Sequence, residues 1–208
     1  DSGSYASSTT YITGKAVEKA CAELKQKICE IAAGMLHCQP DEVVFEGKRV
    51  RRIHSDESLT LQEIGYKTQV FNNIAAEATA SHSSPVSPPP YMAGMVEIEL
   101  DKETGLVTIL DYMAVVDCGI PINPALARIQ TEGGIVQGIG HTLMENVQYD
   151  ANGKPIESSF LQYKIPTRLD MGHLRVEFEN SYEPTGPFGA KSIGEIVINT
   201  PAPALTHA

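Results

Sequence analysis

The chain is short of positive charge: 16 Lys and Arg against 26 Asp and Glu leave a formal net charge of −10 over 208 residues. Nucleic acid and anionic membranes call for the opposite balance, so neither is an expected partner, and the acidity serves solubility. Cysteine is sparse as well. The four present, Cys21, Cys29, Cys38 and Cys118, form no CxxC pair and no zinc-ligand spacing, which excludes a disulfide scaffold and points to reduced thiols in a cytoplasmic protein. No apolar run approaches the ~20 residues of a membrane span, and no signal peptide is recognisable. His37, beside Cys38, has no second pair of ligands nearby and reads as a helix-end position, while His82 reads as solvated.

What is present suffices for a core. With 42% hydrophobic residues, residues 1–208 are expected to form a single compact unit, with a flexible loop at about 79–90 where Ser, Pro and His offer little to pack. The start, Asp1-Ser2-Gly3-Ser4-Tyr5, has no initiator methionine and reads as the middle of a longer polypeptide. Val17, Cys21, Leu24, Ile28, Ile31 and Met35 recur at helical spacing and predict a helix with one buried face, closed by Gly34 and Pro40. Val43 to Val50 reads as a hairpin turning at Glu46-Gly47-Lys48, and Thr60 stands at capping-box distance from Glu63. The Lys48, Arg49, Arg51, Arg52 run forms an exposed hairpin face that another subunit could meet.

Met95 to Leu100 alternates, Asp101 to Gly105 turns and Leu106 to Leu110 returns, which predicts an antiparallel pair. Asn123-Pro124 opens a helix as N-cap and first residue. Residues 143–149 and 173–179 read as further strands, and a last helix after Glu195 would be interrupted by Pro201 and Pro203. Strands and helices mix without a regular βαβ rhythm, so the fold class is α+β, mixed sheets with packed helices.

Three clusters carry candidate chemistry. The hydroxyls from Tyr5 to Thr10 precede the first helix, and either cap it or hold a phosphate there. Gln130, Glu132, Gly133, Gly134, Gln137 and Gly138 lie on the Asn123-Pro124 helix, where each glycine costs about 1 kcal/mol of helix propensity and so calls for tight packing or a ligand. Gly186 to Glu195 brings one carboxylate into a glycine-lined, apolar setting. Glu195 is there either as a helix-start carboxylate or, partly desolvated with a raised pKa, as a proton-transfer group.

Four motifs stand in order: Asp117-Cys118-Gly119 with Asn123-Pro124; Gln130-x-Glu132-Gly133-Gly134 with Gln137-Gly138; Tyr163-Lys164-Ile165-Pro166; and Gly189-Ala190-Lys191-Ser192-Ile193-Gly194-Glu195. Together they resemble the large, molybdenum-binding subunit of the xanthine dehydrogenase and aldehyde oxidase family, over nearly the whole chain from Ala6. The resemblance implies the C-terminal molybdopterin-binding portion of such a subunit. It implies hydroxylation of an electron-poor carbon, such as that of a purine like xanthine or hypoxanthine, with water as oxygen source. Ala6 then falls near the metal, Ser7, Ser8 and Thr9 hold the molybdopterin and its phosphate, Gln130 hydrogen-bonds the cofactor, and Glu195 is the base beside the molybdenum. Lys191 either tunes Glu195 or bonds to backbone. The metal is held by the dithiolene of the pterin, so no protein ligand is expected.

Iron–sulfur clusters and FAD are implied on other domains or subunits. The implied partners are those parts, the remainder of the molybdenum-binding subunit and a small-molecule substrate, with a homodimer left open. Taken alone, this stretch is expected to hold the cofactor weakly and to be inactive. The family's purine enzymes often carry Pro-Pro after the glutamate, whereas Ile196-Val197 follows here. An aldehyde, nicotinate or carbon monoxide oxidising relative, or a non-catalytic assembly module, is therefore an alternative.

Overall fold

The alternating run after the Pro-rich segment becomes, in the computed structural model, an antiparallel pair. The structure describes residues 3–72 and 75–208. Contacts gather the chain into two units rather than the expected single one: residues up to Ile12 with Ser84–Ala208, and Thr13–Ser83. The physical basis is two separate apolar clusters, each closed by its own three-stranded sheet.

In the smaller unit, helix α1 (Gly14–Met35) is followed by strands β1 (Val43–Glu46), β2 (Arg49–Arg52) and β3 (Ser58–Thr60), then helix α2 (Leu61–Lys67). The hairpin and the capping box form as expected. Thr60 Oγ1 accepts the Glu63 N–H at 3.2 Å, and the Glu63 carboxylate accepts the Thr60 N–H at 2.8 Å. The core joins Ala32 and Ala33 of α1 to Val43, Val50 and Ile64, with Ile28, Ile31 and Met35 alongside. Burial of the α1 face is confined to its C-terminal half, because the small sheet packs on residues from Ile28 onward; Val17 and Cys21 are exposed.

The cationic hairpin face is partly neutralised, Arg51 pairing with Glu46 at 2.9 Å and Arg52 with Glu57 at 3.1 Å. His37 sits at the end of α1 with φ 54°, a left-handed helix stop. His82 is not simply solvated: its Nδ1 lies 3.1 Å from Lys19 Nζ, and its Nε2 is buried without a hydrogen-bond partner among the described residues.

In the larger unit, strands β4 (Tyr91–Leu100) and β5 (Val107–Asp117) pair antiparallel, with an irregularity between Glu97 and Ile98. Strand β6 (His173–Phe178) joins β5 in parallel, from Asp111 opposite His173 to Val116 opposite Phe178. A parallel neighbour requires a crossover, which helix α3 (Pro124–Leu143) and the irregular stretch after it supply. Asn123 caps α3 by accepting the Leu126 N–H at 3.1 Å. Tyr112 and Ala114, two residues apart on β5, cluster with Ile135 and Ile139 of α3, Val176 of β6 and Leu205 of helix α4 (Pro201–His207).

Two expectations are corrected. Residues 143–149 form no strand; a single bridge joins Tyr149 to Pro155, and a proline without an N–H cannot extend the ladder. Pro201 and Pro203 do not interrupt a helix but begin α4, because N–H groups in a first turn have no intrahelical acceptor to lose. No helix or strand spans 75–90. Among the described residues no helix is long and apolar enough to cross a membrane.

Candidate functional site

The 186–195 segment is a turn fastened to the end of β5. Phe188 and Gly189 both adopt positive φ, 52° and 86°, which reverses the chain within two residues. Gly189 O then accepts the Ile120 N–H at 2.8 Å, and the Lys191 N–H donates to Cys118 O at 2.7 Å. The Lys191 side chain, only 8% exposed, does not reach for Glu195. Its Nζ donates to Asp117 at 2.6 Å and to Pro89 O at 3.3 Å.

Asp117 is a node that sequence reasoning missed. Its carboxylate also accepts from Ser181 Oγ at 2.5 Å and from the Gly119 N–H at 3.1 Å. Partial burial opposes its ionisation, but these donors, Lys191 foremost, hold its pKa below the ordinary aspartate value. Asp117 and Lys191 both stood in conspicuous motifs, which was a usable signal; Ser181 carried none.

At the far end of the turn the N-terminal segment comes in. Ser7 Oγ accepts the Glu195 N–H at 2.7 Å, across a sequence separation of 188. A side chain at Gly194 would meet that hydroxyl at 2.8 Å, so the approach depends on glycine. Ala6 and Ser7 have φ of 49° and 54°, an uncommon conformation for non-glycine residues that costs on the order of 1 kcal/mol or more each. Tyr11, 4% exposed, secures the segment by hydrogen bonds to Thr185 Oγ1 at 2.6 Å and Ser84 Oγ at 3.0 Å.

A pocket of about 360 Å³ opens between α3 and this turn, lined by Gln130, Gly133, Gln137, Gly194, Glu195 and Ile198 among others. Helix α3 reaches it because its glycines divide the work. A Cβ at Gly134 would collide with Val197, and one at Gly138 would come within 2.7 Å of Pro201, so these two allow close packing. Gly133 instead lines the pocket, and a Cβ there would meet nothing within 4 Å. The tight-packing reading of the glycine helix therefore holds at Gly134 and Gly138, while Gly133 is left on the pocket side.

Of the sequence-predicted residues, Gln130 and Glu195 share the pocket and Ser7 touches Glu195. Ala6, Ser8 and Thr9 do not line it. The Ser8 hydroxyl donates to Tyr5 O at 2.9 Å and the Thr9 hydroxyl to Ser4 Oγ at 2.7 Å, both within their own turn. The Glu195 side chain is exposed, so the apolar desolvation expected of it is absent; Val197 takes the buried position instead.

Residues 1–172 match the family described as the molybdopterin cofactor-binding domain. The chain belongs to that family. This molybdopterin cofactor-binding domain is 34% identical over 210 residues to the probable hypoxanthine oxidase XdhD of Escherichia coli strain K12, covering 100% of this chain and 22% of that protein. It is 32% identical over 215 residues to the gamma subunit of the 6-hydroxypseudooxynicotine dehydrogenase complex of Paenarthrobacter nicotinovorans, covering 99% of this chain and 27% of that subunit. Among solved structures, quinoline 2-oxidoreductase from Pseudomonas putida 86 matches with a TM-score of 0.85 at 27% identity, over 99% of this chain and 27% of that one. The domain thus spans about a quarter of the length of these relatives. Glu195 lies beyond residues 1–172 but within the stretch shared with XdhD.

Proposed function

We propose that this chain is the base-carrying part of a molybdenum hydroxylase subunit, with Glu195 as catalytic base and Gln130, Ser7, Ala6, Ser8 and Thr9 as its share of the cofactor cradle. The observation that carries the reading is the pocket that brings Glu195 to Gln130, Gly133 and Gln137 of α3, about 60 residues earlier in the sequence. Its lining suits the group. Bare backbone at Gly133 and two primary amides match a flat, nitrogen- and oxygen-rich pterin better than a naked cation. When bound, the molybdenum cofactor supplies two-electron redox chemistry and an oxygen drawn from water.

The chain's own residues then have defined tasks. Ser7 takes the Glu195 N–H and so sets where the carboxylate emerges from the turn. The carboxylate belongs to an exposed residue that lines the pocket, and it accepts the proton that is lost as substrate carbon is attacked. Gln130 and Gln137 offer donors and acceptors that orient what fills the pocket. The pocket is open and walled here by one portion of a much longer subunit, so this stretch alone holds cofactor weakly. The remaining walls, the iron–sulfur and flavin parts and the substrate contacts lie on the rest of the polypeptide or on other subunits, in a cytoplasmic complex.

The substrate we favour is an electron-poor purine such as xanthine or hypoxanthine. A second reading, another N-heterocycle or an aldehyde, is favoured by Ile196-Val197 where a purine enzyme of this family often has Pro-Pro. The test is Glu195→Gln in the full-length subunit within its complex, with turnover normalised to molybdenum. A kcat lower by about 10² to 10⁴ at unchanged metal content is expected for loss of a general base. Unchanged turnover, or a complex devoid of molybdenum, would leave only the assembly-module reading.

A further inference from the structure

We infer that the Asp117–Lys191 ion pair is the positioning device for Glu195, fastening the turn that carries the base to the end of β5. The inference rests on Glu195 being that base, although the fastening itself is independent of it. Lys191 is buried while Glu195, four residues on, is exposed. A buried ammonium is costly unless its charge is matched. Lys191 is matched from several sides: the Asp117 carboxylate at 2.6 Å, Pro89 O at 3.3 Å and the face of the Tyr91 ring at 5.6 Å. Asp117 in turn takes Ser181 Oγ and the Gly119 N–H, so one carboxylate joins three separate segments.

The backbone follows the same joint. Gly119 bridges to Ala190, and the Lys191 N–H reaches Cys118 O. A Cβ at Gly119 would approach the Lys191 nitrogen to 2.8 Å, so the two strands of chain touch without room for a side chain. Only Ser192, Ile193 and Gly194 separate this joint from Glu195, whose own N–H is taken by Ser7. The base therefore hangs on a short span fixed at both ends, and the Lys191 end is the ionic one. Neither Asp117 nor Lys191 lines the pocket, so both act through Glu195 and are not catalytic themselves.

The test compares wild type, Lys191→Met, Lys191→Arg and Asp117→Asn in the full-length subunit assembled in its complex. Two quantities are read: hydrogen exchange at the Lys191 and Glu195 amides, and kcat and KM per bound molybdenum. Lys191→Met is expected to speed exchange at both amides about tenfold or more, in keeping with local opening. It should lower kcat by about tenfold with KM within about twofold, the pattern of a misplaced catalytic group. Lys191→Arg should recover most of both. If Lys191→Met fails to assemble, the isosteric Asp117→Asn carries the same expectation.

Wild-type exchange rates in the charge-removing variants would overturn the inference. Faster exchange with unchanged kcat would also overturn it, leaving the pair a stability element. Full turnover in Glu195→Gln would instead sink the base assignment, while the exchange rates still report whether the pair holds the turn.

Discussion

The open side of the pocket and the packed floor that carries its lining both draw on α3 and residues 186–200, the floor with Asp117 of β5 and Pro201 of α4 as added partners, and they are made in opposite ways. In the floor each group is matched to a neighbour: Lys191 to Asp117, Gly134 to Val197, Gly138 to Pro201. On the open side, Gln130, Gln137 and Glu195 are exposed, and among the described residues no hydrogen bond or ion pair holds their side chains. Contacts are concentrated in the floor, and the polar side chains of the pocket are left without partners among the described residues. Polar groups kept ready for a ligand contribute little to folding, so a rigid floor has to hold them in place.

That contrast can be broken most forcefully at the floor. Removing one partner of a buried pair strands the other charge, and Asp117→Asn is expected to cost up to about 3 kcal/mol, read as a lower urea midpoint at unchanged slope. The same pair sets a pH dependence. Because the folded-state pKa of Asp117 is lowered, its contribution is fully present above the unfolded aspartate value and is lost as pH falls through the folded one. Lys191, Glu183 and Cys118 supply the charged and titratable surroundings of this carboxylate. Acid titration of stability should therefore flatten in Asp117→Asn, and an unchanged acid limb would remove the pair from the floor.

A smaller loss is expected within α3. Gly134→Val would force a side chain into Val197 and should cost about 1–3 kcal/mol by overpacking, visible in the same unfolding curves. The smallest effect sharpens the comparison by going the other way. Gly133→Ala meets open space, so it should stabilise the helix by about 0.5–1 kcal/mol while reducing molybdenum retained by the full-length subunit. Equal destabilisation by substitutions at Gly133 and Gly134 would erase the distinction between the two sides.

Much of the local structure was legible because its causes are local. The Thr60–Glu63 capping box, the hairpin turning at Gly47, the β4–β5 pair and the Asn123 cap all rest on residues a few positions apart. Errors fell where the outcome depended on a distant partner. Residues 143–149 had a strand pattern, but Pro155 stood where a ladder would need an N–H. Val17 and Cys21 had the right spacing for a buried face, but the small sheet packs only from Ile28 onward.

The site divides along the same line. The family resemblance carried by the four motifs singled out Gln130, Glu195 and the Ala6 to Thr9 segment as the residues of the proposed site. Tertiary structure alone decided that Ser7 would take the Glu195 N–H, that Lys191 would turn down to Asp117, and that Val197 rather than Glu195 would be buried. The physical reason is range. Propensity, capping and periodicity act within a few residues, whereas desolvation and ion pairing depend on which surfaces the folded chain brings together.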